Sequence, residues 1–84
     1  MNNKVFVEVI VPDLEETFNI FIPINRRIGH VIVLINKALS EMTNGNYIIN
    51  NERNLYSQYT GIKYSLNLLI RETDIRNGSK IVLL

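Results

Sequence analysis

Valine recurs at every second position from Val5 to Val11, and Lys4, Phe6, Glu8 and Ile10 fill the places between. A period of two is that of a strand with one buried face, here the valine face. Pro12-Asp13-Leu14-Glu15-Glu16 interrupts it with the turn chemistry of Pro-Asp. Alternation resumes from Thr17 to Ile22, with Phe18, Ile20 and Ile22 on one side and Thr17, Asn19 and Phe21 on the other. Two such runs joined by a short polar segment predict an antiparallel hairpin.

From Ile28 to Met42 (IGHVIVLINKALSEM) the period lengthens. Ile28, Val31, Ile32, Ile35, Ala38, Leu39 and Met42 follow the i, i+3, i+4, i+7 rule. At about 100° per residue they fall within an arc of roughly 120°. Gly29, His30, Asn36, Lys37, Ser40 and Glu41 take the opposite side, Leu34 flanks the stripe and Val33 breaks it. The β-branched run Val31-Ile32-Val33 favours a strand by propensity, but a strand would bury Lys37 or His30 beside Val33 and Ile35. The stretch is therefore predicted to be the one multi-turn helix. Burying each large aliphatic chain is worth ~1.5–3 kcal/mol, which calls for a sheet on the other side. Asn25 is the best N-cap candidate, although Arg26 and Arg27 bring positive charge to the positive end of the helix dipole. Thr43-Asn44-Gly45-Asn46 is a stop signal, with Gly45 suited to the left-handed position.

Tyr47-Ile48-Ile49 is a short apolar piece predicted to fold back under the helix end, and 50–54 reads as a polar loop. Leu55 to Tyr59 is predicted as a third strand, Thr60-Gly61 as a turn and Ile62 to Tyr64 as a short fourth strand. Leu66, Leu68, Leu69 and Ile70 form a compact turn expected to plug the core. Asn77-Gly78 is a sharp turn signal. Lys80 to Leu84 (KIVLL) is a nearly continuous apolar strand of the kind found in mid-sheet. A central strand that comes last must pair with one from the beginning.

Composition narrows the function classes. The 84 residues are expected to form a single domain, 1–84, and a hydrophobic content of 46% suffices for its core. A formal charge of +1 carries no footprint for nucleic acid, and none is expected as a partner. The absence of cysteine excludes disulfides, thiolate metal sites and a thiol nucleophile. No run reads as a signal peptide or reaches the ~18 apolar residues of a membrane span, so no direct membrane insertion is expected. His30 is the single histidine and lies on the polar helix face without a predictable acidic partner. Glu15-Glu16 and Glu72/Asp74 read as carboxylates that solvate turns, since no apolar pocket is implied around them. Asn77-Gly78-Ser79 is a turn and not a phosphate loop. No catalytic residue, metal site or cofactor is expected, and no enzyme activity.

The predicted order is hairpin, helix, short strands, final central strand. It resembles ubiquitin, with VFVEVIV for the first strand, FNIFIP for the second and IGHVIVLINKAL for the helix. The implied fold is α+β, a ubiquitin-like β-grasp with a mixed sheet of four to five strands packed on one α-helix. Two stretches, FNIFIPINRRIGHVIVLINKAL and DIRNGSKIVLL, are similar to the YukD/EsaB family of small proteins encoded with type VII secretion systems of Gram-positive bacteria. That resemblance extends over nearly the whole chain, and its motifs are patterns of fold type. It implies a cytoplasmic accessory or regulatory protein that binds the cytosolic part of a secretion machinery. Ubiquitin and the related sulfur carriers are activated through a Gly-Gly tail. Here the sequence stops at Leu84, within the predicted strand, and has no glycine after Gly78. Activation as an adenylate, thioester or thiocarboxylate is therefore not expected.

A β-grasp sheet covers one face with its helix and leaves the other wet. The predicted register puts Phe6, Ile10 and Phe21 on the wet face as one contiguous apolar patch. Such a patch marks a protein interface, for a second copy in a homodimer or for a different protein. The other reading is that Phe6 and Phe21 only support each other across the strands. Alignment with ubiquitin's docking surface adds Tyr56 or Gln58 at its central isoleucine, and Leu84 near its later valine. Arg26, Arg27 and Lys37 make a mild basic corner, read as a solvated face. Still open is a β-grasp adaptor unrelated to secretion, and behind it an enzyme-coupled carrier.

Overall fold

The valine strand and its partner form the predicted hairpin: β1 (Lys4–Val11) and β2 (Glu16–Pro23) pair antiparallel from Lys4 opposite Pro23 to Val11 opposite Glu16. They are seen in a computed structural model that describes residues 3–84. A single 3-10 turn, Pro12–Leu14, joins them and closes on Glu15, which takes a left-handed φ of 54°. The remaining elements are α1 (Ile28–Met42), β3 (Leu55–Ser57), a second 3-10 turn (Ile70–Glu72) and β4 (Lys80–Leu83). The strand order is β2-β1-β4-β3. β4 lies parallel to β1 and antiparallel to β3, so the last strand does sit centrally, against the first. The fold is a ubiquitin-like β-grasp with a mixed sheet of four strands on one helix.

One face of the sheet is the core. Val7, Val9 and Val11 of β1 are fully buried, as are Ile81 and Leu83 of β4 and Leu55 of β3. Ile28, Val31, Ile32, Ile35 and Leu39 of α1 pack against them, with Ile70 and Ile75 filling one side. No helix among the described residues is long and apolar enough to cross a membrane.

Several local expectations are corrected. Met42 is 52% exposed, whereas Asn36, placed on the polar face by periodicity, is 1% exposed. A partner explains it: the buried Tyr47 hydroxyl donates to Asn36 Oδ1, and Asn36 Nδ2 donates to the Asn50 carbonyl at 3.3 Å. Asn25 does not cap α1. The N-cap is Arg27, without a side-chain bond, and the first helical N–H groups of Ile28 and Gly29 donate to the carbonyls of Leu68 and Leu66 at 2.8 and 3.1 Å. Two of the orphan donors of the first turn are thus satisfied by a distant loop.

The helix stop is a Schellman motif. Gly45 N–H reaches Ser40 O at 2.8 Å and Asn44 N–H reaches Glu41 O at 3.3 Å, with Asn44 itself left-handed at φ 53°. Of the apolar piece after it, only Tyr47 folds under; Ile48 is 81% exposed. β3 ends at Ser57 instead of Tyr59, because Ser57 Oγ accepts from Tyr59 and Thr60 N–H, both at 3.2 Å, and turns the chain. Ile62–Tyr64 is not a strand. It forms one isolated bridge, Lys63 to Tyr56, after the turn at Gly61 with its φ of 72°. Of the leucine-led turn only Ile70 is buried, while Leu66 and Leu68 stay exposed.

Candidate protein-docking surface

The face of the sheet away from α1 is built from the second residue of each alternation. Phe6, Glu8 and Ile10 come from β1, Thr17, Asn19 and Phe21 from β2, Lys80 and Val82 from β4 and Tyr56 from β3. Register decides which of them are neighbours. Phe6 lies opposite Phe21, with ring centroids 4.7 Å apart and planes tilted by 51°. They form the cross-strand pair expected of two aromatics on one sheet face, yet remain 41% and 65% exposed. Their flank towards β4 is a turn. Asn77 Oδ1 accepts from Phe6 N–H at 2.8 Å, and Gly78 N–H donates to Phe6 O at 2.7 Å.

Ile10 is not part of that patch. It faces Thr17 on one side and Val82 on the other, and Val82 faces Tyr56. Between this lane and the aromatic pair runs a polar row of Asn19, Glu8 and Lys80, paired across three strands. Phe6 and Ile10 are four positions apart, roughly 13 Å at the rise of a strand. The expected single patch is therefore two. One is the aromatic pair at one end, and the other is a half-buried lane of Ile10, Val82 and Tyr56.

Leu84, 51% exposed, extends the lane past β4 and exchanges backbone bonds with Asn54 at 2.8 and 3.0 Å. Gln58 is exposed beyond the end of β3 and donates its N–H to Lys80 O at 3.2 Å, beside the polar row. Val82 went unremarked in the sequence although it lies at the lane's centre. The parity of KIVLL, which puts Val82 with Leu84, was the signal for it.

Two polar clusters lie off this face. Arg53 Nη2 donates to Asp13 Oδ2 at 2.6 Å, and the guanidinium sits 5.1 Å over the Tyr47 ring. Burial raises the Tyr47 hydroxyl pKa above its ordinary value, against the opposing pull of Arg53. The second cluster lines a concavity of about 380 Å³ between residues 57–65 and 68–74. There the Tyr64 hydroxyl donates to Asp74 Oδ1 at 2.8 Å. Burial first, and that bond second, push the Tyr64 pKa up to about 12. The Arg53–Asp13 and Tyr64–Asp74 bonds hold loops in place, and Arg53 Nε is buried without a hydrogen-bond partner among the described residues. Of the groups weighed for chemistry, His30 is exposed and Glu72 Oε1 accepts from Leu69 N–H at 2.8 Å.

No protein-family model matches the chain, and no curated protein sequence matches it. Solved structures match it in fold. The ubiquitin-like domain of the Mycobacterium tuberculosis type VII secretion protein EccD1 has a TM-score of 0.75 at 12% identity, over 100% of this chain and 99% of that one. The EccD5 ubiquitin-like domain from Mycobacterium xenopi has a TM-score of 0.78 at 13% identity, over 99% and 94%. A chain of the MycP5-free ESX-5 inner membrane complex has a TM-score of 0.80 at 11% identity; the match covers 99% of this chain but 21% of that one. At such identities the likeness establishes the fold, a ubiquitin-like β-grasp resembling domains of type VII secretion proteins.

Proposed function

We propose that residues 1–84 act as a ubiquitin-like module that binds protein non-covalently. Its place is the cytoplasm, as an accessory or regulatory component of a type VII secretion system of the YukD/EsaB kind. It catalyses nothing and docks on the cytosolic part of the machinery through the sheet face away from α1. The likeness of nearly the whole chain to EccD ubiquitin-like domains carries this reading. The lane of Ile10, Val82, Tyr56 and Leu84 supports it, as an apolar strip set apart from the aromatic pair by the polar row of Asn19, Glu8 and Lys80. Folds of this type serve many purposes, so a β-grasp adaptor unrelated to secretion is the competing reading. Secretion genes beside the coding gene favour the first reading, and an unrelated neighbourhood favours the second.

Affinity capture from the native host tests the docking face. Val82→Ser/Tyr56→Ser is expected to reduce recovery of secretion-machine components by about tenfold or more, the effect of losing ~1.4 kcal/mol of contact. Phe6→Ser/Phe21→Ser is expected to leave recovery nearly unchanged. Equal recovery with a folded lane variant would overturn the docking face. Mass spectrometry of the same material addresses the non-covalent reading, which an isopeptide bond or C-terminal adduct would overturn.

A further inference from the structure

Strand β2 is an edge of the sheet, and its open side is guarded only at its two ends, by Glu16 and Pro23. Sheet edges are usually blunted by charge, a bulge or a covering element. From Thr17 to Pro23 there is no charged residue, and every position pairs with β1 in unbroken register. The bond from Ile24 N–H to Asn3 O at 2.8 Å fixes the phase of that ladder. Even-numbered residues of β2 bond to β1, and the N–H groups of Thr17, Asn19 and Phe21 point away from it. Pro23, which has no N–H to offer, falls on the open phase, where proline is tolerated. Along this edge runs a groove of about 220 Å³ lined by Lys4, Ile20, Leu34, Ile35 and Ala38 among others.

The two ends of the edge carry opposite charge. Glu15 and Glu16 stand where β2 begins; Lys4 pairs with its last residue, Pro23, and Arg26 follows three residues on in the chain. Among the described residues the one ion pair is Arg53–Asp13, so none of these four charges has an internal counter-ion.

We propose that β2 pairs antiparallel with β2 of a second copy of this chain, about a two-fold axis near Asn19. A two-fold contact sets residue i against j and j against i. The acidic start of each strand then meets the basic end of the other, twice. A parallel pairing would instead set acid on acid. Centred on Asn19, the register places Thr17 opposite the partner's Phe21 and makes roughly six backbone hydrogen bonds in narrow pairs. On the helix side Phe18 falls opposite the partner's Ile20. A foreign strand would satisfy the backbone equally well; a second copy supplies by symmetry the opposite charge at both ends as well.

Sedimentation equilibrium of the full chain tests this. The expected result is a concentration-dependent mass approaching twice that of the monomer. Asn19→Pro removes a donor from the open side and leaves the β1 ladder intact, and should weaken the dimer by about tenfold or more. Glu15→Lys/Glu16→Lys and Lys4→Glu/Arg26→Glu should each be monomeric alone and recover the dimer when mixed in equal amounts. These charge changes lie at exposed positions, so they decide the matter if Asn19→Pro does not fold. The inference is overturned by a folded wild type that stays monomeric to about 1 mM. A dimer indifferent to Asn19→Pro overturns it too, as does a charge-reversed mixture that does not associate. So does a monomer that accepts an unrelated extended peptide along β2.

Discussion

Tyr47 joins three parts of the chain: the connection after the helix, the helix itself and the hairpin turn. Its ring is stacked under Arg53, which is held by Asp13 in the hairpin turn, and its hydroxyl bonds to Asn36 on α1. Asn36 in turn donates to the Asn50 carbonyl. The long connection 43–54 is thereby tied to both the helix and the hairpin, which is why a polar residue is tolerated at 1% exposure. Tyr47→Phe removes the hydroxyl and leaves Asn36 Oδ1 buried without a partner. The expected cost is about 1–3 kcal/mol, read from urea unfolding. In an Asn36→Leu background the same change should cost clearly less, because the group it strands is already gone. Additive effects would mean that the hydroxyl and the amide do not depend on each other.

At the scale of elements, what was legible in the sequence is what is local. The alternation of Val5–Val11 with Phe18–Ile22 fixes the hairpin and its register, so the Phe6–Phe21 pair was readable from β1 and β2 alone. The 3.6-residue period gave α1 its bounds, Ile28–Met42. Features set by distant partners were not legible. The lane that joins Ile10 to Val82 and Tyr56 depends on where β4 lands beside β1, a contact across some seventy residues of chain. The end of β3 is set by one hydroxyl, Ser57 Oγ, which carries no periodic signal. The start of α1 is not legible for the same reason: its first N–H groups are capped by the Leu66 and Leu68 carbonyls and not by Asn25. That arrangement allows a stabilising change at Gly29. A Cβ there would lie 3.5 Å from Leu66 O and 3.7 Å from Leu66 Cβ, ordinary contact distances. Gly29→Ala should therefore raise stability by about 0.5–1 kcal/mol, by restricting the unfolded chain. A loss on thermal or urea unfolding would mean that the 65–69 loop sits closer to the helix than these distances allow.

For the molecule as a whole, the parallel contact of β4 with β1 closes the chain on itself, so anything that loosens residues 57–74 should be felt in global stability. Tyr64 is the titratable test of that coupling. Its hydroxyl bonds Asp74 across the loop, and its N–H bonds Leu55 O at 2.9 Å, so the side chain and backbone together hold the 57–65 segment against β3. Burial, then the bond to Asp74, lift its pKa from 10.0 to about 12. An acid whose folded pKa is raised gives stability that is complete below the unfolded value and lost as pH climbs through the folded one. The window is therefore between about pH 10 and pH 12, where a phenolate would have to sit beside a carboxylate. Unfolding midpoints in urea should fall across that window in the wild type and fall less steeply in Tyr64→Phe. The raised pKa of Tyr47 leaves a residual slope in the variant. Parallel curves would show that the phenol ionises freely in the folded state, with the loop open to water and not clamped onto the sheet.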